Sequence, residues 1–401
     1  MKKPRIFINM HYMELGGAER ALLGLLNALD TNRVDVDLFI NQHTGEFMPL
    51  IPKKINLLPE QKGYNAIERP MKQIVMEGQW QIAVARLRSK LAYKKYKKKK
   101  GITSDASATH YVMDSVIGLL PSLHYLGEYD LAISFLDPPH IVQDKVLAKK
   151  RIEWIHTDFG IMNLDYDRLM PRWAANDYIA SISPDITVSF LKAFPLLKDK
   201  IIVIENILSP ELIRKQSCLL DVNSEMPSCG LKLLSIGRYT YQKNFENIPE
   251  MARLMIDMGY KDFQWFIIGY GNSESIVDNM RKFGVEDHIT ILGKKENPYP
   301  YIKASDIYVQ PSRYEGKSIS VREAQILCKP VVITRYPTSG SQVMDGVDGV
   351  ICGMDNGSVA RAIVDLARDK EKQMKIIDYL STHDYGNEAE VEKIYKLVGI
   401  N

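Results

Sequence analysis

Short apolar strands alternate with amphipathic helices along this chain, and this alternation constrains its fold more than any other feature. Residues 5–10 follow a buried-strand pattern, 18–29 a helix with its apolar residues on one face, and 34–40 a second strand. A strand, a helix and a strand in this order form a βαβ unit, whose two strands lie parallel in one sheet. The sequence therefore predicts an α/β protein with parallel sheets.

The alternation occurs in two series, separated by an irregular stretch rich in Ser, Pro, Asn and Cys. Later strands of the first series are predicted at 131–135, 151–156, 178–181 and 201–204. The second series has a helix at 248–258 and strands at 231–237, 263–269, 288–292, 307–310, 331–334 and 349–352. Since 401 residues exceed the usual size of one core, we expect two doubly wound, Rossmann-like domains. The predicted ranges are 1–206, a connection at 207–230, a second domain at 231–385 and a C-terminal helix at 386–401.

The composition is that of a folded protein, with 45% hydrophobic and 25% charged residues. No segment reaches the roughly 18 to 20 apolar residues of a membrane span, and the first residues lack the apolar core of a signal peptide. Cysteines at 218, 229, 328 and 352 show neither CxxC spacing nor histidines at zinc-like distances. We expect a cytoplasmic protein with reduced thiols, no metal and no cofactor.

One segment, from Arg86 to Lys100, is strongly basic. It contains nine Lys and Arg residues and no acid, and Leu87, Leu91 and Tyr93 recur at near-helical spacing. Such a helix can rest on anionic lipid headgroups or simply be solvated, and the sequence leaves both interpretations open. Nucleic acid is not expected as a partner, because no recognisable binding motif or interleaved stacking aromatics accompany the charge.

Two acids, Glu315 and Glu323, lie eight positions apart where a strand, a polar loop and a helix follow one another. The first turn of a helix leaves about four N–H groups unpaired and carries roughly half a positive charge. A phosphate at Ser318 and Ile319 would satisfy both conditions. The residues thus indicate a place for a phosphorylated ligand, with one acid on either side of it.

A second loop supplies cations. Gly237 lets the chain turn at the end of a predicted strand, and Arg238 and Lys243 follow it. Two cations within one loop suit a diphosphate. Asp35 and Asp37, by contrast, lie within a strand, where we expect no metal site.

Taken in their order, these motifs resemble those of the GT-B retaining glycosyltransferases of family 4. The resemblance covers most of the chain and rests on Gly16-Gly17-Ala18-Glu19, Gly237-Arg238 with Lys243, Ile268-Gly269-Tyr270-Gly271, Leu292-Gly293, and Glu315 with Glu323. It implies the GT-B fold, in which two Rossmann-like domains face each other across a cleft. It also implies that the last helix crosses back to the first domain.

The resemblance implies a role for each donor residue. Arg238 and Lys243 would hold the donor diphosphate, Glu323 the ribose hydroxyls, and Glu315 the hydroxyls of the transferred sugar. The remaining donor-binding residues are the N–H groups of Ser318 and Ile319 on the distal phosphate, and the glycines Gly16, Gly17, Gly237 and Gly269. The amides of Gly16 and Gly17 can approach the donor phosphate or the acceptor closely, because these residues lack a Cβ.

The resemblance also makes His156, at the end of a predicted strand, a catalytic candidate beside the transferred sugar. Asp158 and His11 are weaker candidates. Many relatives have an aromatic residue and a glycine where this chain has Lys317 and Ser318, so the choice of sugar is not implied. Ser318 is still expected to cap its helix.

The implied activity is transfer of a sugar, with retention and without metal, from a nucleoside diphosphate sugar to an acceptor hydroxyl. UDP is the favoured nucleotide. The expected acceptor is a lipid-linked saccharide or glycan of cell-surface polysaccharide such as capsule, and the expected location is the cytoplasm or the inner face of the membrane. The alternatives are a GT-B sugar-nucleotide epimerase and a non-catalytic, membrane-associated binding protein of the same fold. A product assay separates them, because epimerisation needs no acceptor.

Overall fold

A computed structural model describes residues 2–14, 16–102, 107–156, 159, 164–227 and 230–400. The chain divides into two compact units. Unit 1 comprises Met1–Ile207 together with Glu388–Asn401, and unit 2 comprises Leu208–Asn387. Each unit is built on one parallel sheet, so the prediction of two Rossmann-like sheets is confirmed.

Unit 1 contains a seven-stranded parallel sheet of order β3-β2-β1-β4-β5-β6-β7. Its strands are β1 (Arg5–Met10), β2 (Asp35–Ile40), β3 (Asn56–Leu57), β4 (Leu131–Ser134), β5 (Arg151–Ile155), β6 (Tyr178–Ser181) and β7 (Ile201–Val203). Both faces of the sheet are covered, because Ile6 and Ile8 pack into one apolar cluster and Phe7 into another. This double burial explains why β1 is an almost continuous apolar run.

The helices of unit 1 lie between these strands and at the end of the chain. They are α1 (Gly17–Ala28), α2 (Met71–Met76), α3 (Trp80–Lys100), α4 (Ala108–Val116), α5 (His140–Asp144), α6 (Tyr166–Ala174), α7 (Pro184–Ala193) and α15 (Val391–Leu397). In α15, Tyr395 accepts a hydrogen bond from the Asp30 N–H at 2.6 Å, and Glu392 pairs with Arg33 at 2.6 Å. These contacts hold the last helix of the chain on unit 1.

Unit 2 contains a six-stranded parallel sheet of order β10-β9-β8-β11-β12-β13. Its strands are β8 (Leu231–Ile236), β9 (Phe263–Ile268), β10 (Ile289–Gly293), β11 (Ile307–Gln310), β12 (Val331–Thr334) and β13 (Val350–Cys352). Its helices are α8 (Pro210–Gln216), α9 (Ile248–Asp257), α10 (Glu274–Phe283), α11 (Tyr299–Ala304), α12 (Ile319–Ile326), α13 (Asn356–Arg368) and α14 (Lys370–Thr382). In the described part of the chain, no helix combines the length and apolar composition needed to cross a membrane.

The predicted connection at 207–230 differs from the structure. Ile213, Val222 and Met226 are buried in the apolar core of unit 2, so most of this range is part of that unit. Within this range, Ser209 and Pro210 begin α8. Proline is favourable at the first position of a helix, where its missing N–H has no partner to lose, and the Ser209 side chain accepts a hydrogen bond from the Leu212 N–H.

The strand order of each sheet reverses at one place. In unit 2 the chain adds β9 and β10 on one side of β8, then β11, β12 and β13 on the other side. In unit 1 the reversal lies between β1 and β4. Ligands of open α/β sheets bind at the carboxyl ends of the strands beside such a reversal. The loops after β8 and β11 are therefore the candidate ligand-binding loops of unit 2.

Candidate functional site

The loop after β8 and the loop after β11 are joined at the reversal in unit 2. The Arg313 N–H donates to the Gln242 carbonyl at 2.8 Å, and the Asn244 side-chain amide donates to the Pro311 carbonyl at 3.0 Å. Asn244 is buried and has a positive φ of 62°, a conformation that asparagine tolerates better than most residues. The two loops therefore form one hydrogen-bonded unit, although they lie some 70 positions apart in the sequence.

Glycines bring the strand ends close together. A Cβ at Gly269 would lie 1.9 Å from the Gly237 carbonyl oxygen, so only glycine fits there without moving the backbone. A Cβ at Gly237 would lie 3.1 Å from the side chain of Lys243. These glycines allow the ends of β8 and β9 to lie close together, and the Lys243 side chain lies against Gly237 at the end of β8.

Lys243 and Glu315 form an ion pair at the centre of the joined loops. The Lys243 Nζ lies 2.5 Å from Glu315 Oε1, and the two side chains are only 17% and 7% exposed. Glu315 also accepts hydrogen bonds from the Ser312 hydroxyl at 2.6 Å and from the side-chain amides of Gln242 and Gln310 at 3.3 Å each. With four donors around it, the Glu315 carboxylate is held in one orientation.

Behind Glu315 lies a buried chain of hydrogen bonds that the sequence did not reveal. The Tyr308 hydroxyl donates to Gln310 Oε1 at 2.7 Å, and the Gln310 amide donates to the Ser312 hydroxyl at 2.7 Å. All three side chains are fully buried. A signal was present, because Gln310 and Ser312 are uncharged polar residues at the end of an apolar strand, but neither belongs to a recognised motif.

Arg238 differs from Lys243 in having no partner. Its side chain is exposed, and within the described ranges it forms no ion pair. It follows Gly237 directly, at the carboxyl end of β8. The loop therefore presents one neutralised cation, Lys243, and one available cation, Arg238.

The N-terminus of α12 is arranged differently from the prediction. The Ser318 N–H donates to Gln342 Oε1 at 3.1 Å, and the Gln342 amide donates back to the Ser318 carbonyl. Ser318 is the N-cap residue of α12, as predicted, but its hydroxyl makes no capping hydrogen bond. That hydroxyl is buried without a hydrogen-bond partner among the described residues. Gln342, which no sequence motif marked, pairs with the Ser318 N–H, one of the two N–H groups that a phosphate was expected to meet.

Glu323 is fully buried one turn into α12. The Tyr299 hydroxyl donates to its Oε1 at 2.9 Å. Burial raises the pKa of Tyr308, and the charges of the two acids, Glu323 and Glu315, raise it further. Both acids thus belong to one site in unit 2, but only Glu315 reaches its edge.

In unit 1, His156 lies directly after β5. Its ring stacks on Trp154 at 6.2 Å and contacts the ring of Phe135 at 4.7 Å between centroids. Burial lowers the pKa of His156 to about 3, and the backbone of Phe135 accepts a hydrogen bond from its ring, which opposes that shift. Its Nε2 is buried and unpaired. His156 is therefore a neutral imidazole with an unused acceptor.

The two weaker candidates differ in what can be said of them. Asp158 lies outside the described residues. His11 is buried and pairs with Glu68 at 3.3 Å. Its ring is thus engaged inside unit 1.

Gly16 and Gly17 precede and begin α1, as expected for glycines at a helix N-terminus. The carboxylate of Glu19 occupies this turn, because a Cβ at Gly16 would lie 2.0 Å from Glu19 Oε2. Burial raises the pKa of Glu19, while a hydrogen bond from its own N–H lowers it. The first turn of α1 therefore already holds an acid of the chain.

A buried polar cluster at the reversal of unit 1 was also missed by the sequence. Asn176 donates to Glu153 Oε2 at 2.8 Å, His110 contacts Asp137, and His140 lies 2.8 Å from Asp114. Burial, and then the charge of Asp137, raise the pKa of Glu153 well above its ordinary value. Glu153 was recognisable as the one acid inside an apolar strand.

Two further expectations concern metals and thiols. Among the described residues, no group of three or more His, Cys, Asp or Glu side chains is arranged to hold a metal ion. Asp37 in β2 instead pairs with Arg5 at 2.9 Å. Cys218, Cys328 and Cys352 are free thiols, and Cys229 lies outside the described residues.

Comparisons with known proteins add to this geometry. The family model for glycosyl transferases group 1 matches residues 224–382. A protein of Haemophilus influenzae named only as an uncharacterized glycosyltransferase is 24% identical over 405 residues, which cover 98% of this chain and 99% of that protein. The UDP-Gal:alpha-D-GlcNAc-diphosphoundecaprenol alpha-1,3-galactosyltransferase of Escherichia coli is 26% identical over 140 residues, covering 34% of this chain and 36% of that enzyme.

A solved structure is similar over its full length. Anabaena HepE in complex with UDP-glucose aligns with a TM-score of 0.67 at 13% sequence identity, covering 98% of this chain and 100% of that one. At this identity the likeness is one of fold.

Proposed function

We propose that this chain, which has the GT-B fold and whose residues 224–382 match the family model for glycosyl transferases group 1, is a retaining, metal-independent glycosyltransferase of family 4. It moves a sugar from a nucleoside diphosphate sugar to an acceptor hydroxyl and uses no cofactor. Unit 2 binds the donor, and unit 1 binds the acceptor.

The pairing of Lys243 with Glu315 beside the unpaired Arg238 is the observation that carries this proposal. A donor diphosphate attracts Arg238 first and competes with Glu315 for Lys243. When Lys243 turns to the phosphate, Glu315 keeps its hydrogen bonds from Ser312, Gln310 and Gln242. Its carboxylate is then free to accept hydrogen bonds from hydroxyls of the sugar. When Lys243 exchanges Glu315 for the donor phosphate, Lys243 becomes a phosphate contact and Glu315 becomes a sugar contact in the same step.

The chemistry needs charge stabilisation more than a protein base. As the bond between the sugar and the phosphate breaks, negative charge grows on the leaving phosphate, and Arg238 and Lys243 stabilise it. That phosphate accepts the proton of the attacking hydroxyl on the same face of the sugar, which gives retention. The Ile319 N–H in the first turn of α12 and the Ser318 hydroxyl, which has no partner among the described residues, are the contacts that this helix offers to the distal phosphate.

UDP is the proposed nucleotide, and the comparisons support it. HepE was solved with UDP-glucose, and the Escherichia coli relative is named for UDP-Gal and a diphosphoundecaprenol acceptor. By analogy, the proposed acceptor is a lipid-linked saccharide or glycan in cell-surface polysaccharide synthesis, such as capsule. The protein would then work peripherally at the inner face of the membrane.

The test is a screen of nucleotide sugars for transfer to an acceptor, with and without a chelator, in wild type and Arg238→Ala. Removing one preorganised contact to the developing charge lowers kcat by on the order of 10² to 10³. The melting temperature should not change, because Arg238 is exposed and makes no ion pair in the described structure.

Arg281→Ala is the matched control, since Arg281 is an exposed arginine of α10 that pairs only with Asp278 on its own helix. It should transfer sugar like wild type. Near-wild-type turnover in Arg238→Ala would contradict the proposed site, and a sugar nucleotide converted without any acceptor would indicate an epimerase.

A further inference from the structure

Helix α3 exposes an apolar stripe that no contact within unit 1 covers. Trp80, Val84, Leu87 and Leu91 are 61%, 44%, 53% and 61% exposed. At about 100° per residue, these four side chains fall within about 40° of one line along the helix. On a helix that only faces water, exposed large apolar side chains usually occur singly and not in a line of four.

The opposite face of α3 is the one that packs. Its buried residues are Ile82, Ala83, Ser89 and Tyr93. The ring of Tyr93 lies 5.1 Å from that of Tyr111 in α4. The grouping of Tyr93 with Leu87 and Leu91 on one face, as the sequence suggested, is therefore wrong. The outer stripe begins about two turns before Leu87, at Trp80.

Cations continue and flank the stripe. The exposed ones are Arg88, Lys90, Lys94, Lys95, Lys98, Lys99 and Lys100. Within the described part of the chain, none of these seven forms an ion pair. Arg86 is excluded because it donates to the carbonyls of Ala66 and Arg69. Each such cation near an anionic membrane strengthens partitioning by about fivefold.

The apolar surface extends beyond the helix. A cavity of about 430 Å³ opens beside its first turn. Trp80, Leu119 and Pro121 line it together with Lys62. Tryptophan prefers the boundary between headgroups and acyl chains. The first turn of α3, which carries Trp80, is therefore expected to lie at that boundary.

We propose that the outer face of α3 is a membrane-docking surface, in which Trp80, Val84, Leu87 and Leu91 enter the headgroup region of an anionic bilayer and the free lysines bind its headgroups. Interfacial helices bind membranes in this way, with apolar side chains at the acyl boundary and basic side chains among the headgroups. Nucleic acid would use the charge but leave the stripe in water. A second copy of this chain would present the same positive charge and be repelled. This surface would bring the enzyme to a lipid-linked acceptor, and that part of the inference rests on the proposed function.

The experiment is flotation of the full-length protein with phosphatidylcholine vesicles that contain or lack phosphatidylglycerol. Wild type should float only with phosphatidylglycerol and should be released by salt, because screening weakens exposed charges. The double variant Leu87→Ser with Leu91→Ser should partition about tenfold less, as exposed leucines lose their transfer free energy. Lys94→Gln with Lys98→Gln should partition about thirtyfold less.

The matched control is Leu219→Ser with Leu220→Ser, two leucines of unit 2 that are 63% and 56% exposed. This variant should float like wild type. Absence of flotation at low salt, equal flotation of the Leu87/Leu91 variant, or binding of RNA but not of vesicles would overturn the proposal. Sugar transfer to a soluble acceptor is assayed in parallel. Transfer without flotation removes this inference alone, whereas flotation without transfer removes the proposed function alone.

Discussion

At the scale of single residues, the two acids of the unit 2 site have very different surroundings. Glu315 reaches the edge of the site with four hydrogen-bond donors around it, whereas Glu323 is fully buried. Their spacing in the sequence showed that both belong to one strand, loop and helix. It could not show their depth, because the residues around them, such as Tyr299 against Glu323 and Lys243 against Glu315, come from other elements.

Ser312→Ala tests whether the orientation of Glu315 matters for transfer. The change removes a hydrogen bond to a carboxylate, which is worth about 1.5 to 3 kcal/mol, so kcat should fall about tenfold or more while the donor KM changes little. Steady-state kinetics measure both. Ser381→Ala, at an exposed serine of α14 that donates only to the Asp378 carbonyl, is the control. A raised KM at unchanged kcat would contradict a positioning role.

His156 gives a prediction on pH. Its pKa is lowered to about 3 in the folded protein by burial, whereas an unfolded histidine titrates near 6.5. Between these values the unfolded chain binds a proton that the folded chain does not, so the free energy of unfolding decreases as the pH falls from about 6.5 toward 3. The Cε1 proton resonance of His156 should therefore stay in its neutral position from about pH 7 to about pH 5. A midpoint near 6.5 would show that the ring is not buried as described.

At the scale of elements, the positions of strands were predictable and their order was not. The apolar patterns located Tyr178–Ser181, Ile307–Gln310 and Val331–Thr334 to the residue. The neighbours of a strand are set by contacts between distant segments, so the placement of β11 against β8 had to come from the structure. That placement brings the loop that carries Arg238 and Lys243 next to the loop that carries Glu315.

At the N-terminus of α12, Gln342 occupies the place next to Ser318 where a phosphate is proposed to bind. Gln342→Glu keeps the shape of the side chain that meets Ser318 but adds a negative charge at the helix N-terminus. This charge repels a phosphate there, so the donor KM should rise about tenfold. The carboxylate can no longer donate to the Ser318 carbonyl, so the melting temperature should fall as well. Donor-dependence of the initial rate and thermal melting measure the two effects. An unchanged KM would show that no phosphate binds at this helix end.

At the scale of the whole molecule, each of the two units carries one parallel sheet with one reversal of strand order. The irregular composition of 207–230 suggested a connection, but apolar residues within it fill the core of unit 2. The composition of a segment is an average over its residues. It therefore does not show that Ile213, Val222 and Met226 enter an apolar core. The motifs in the loops were more informative, since their residue types are set by ligand chemistry.

The most direct test of the account is titration of UDP into wild type and Lys243→Gln, since the central claim is that the loops after β8 and β11 bind a nucleoside diphosphate. Loss of a charged contact to phosphate should weaken UDP binding about tenfold or more. The control, Lys282→Gln, changes an exposed lysine of α10 and should bind UDP like wild type. Equal affinity of Lys243→Gln and wild type for UDP would contradict the account.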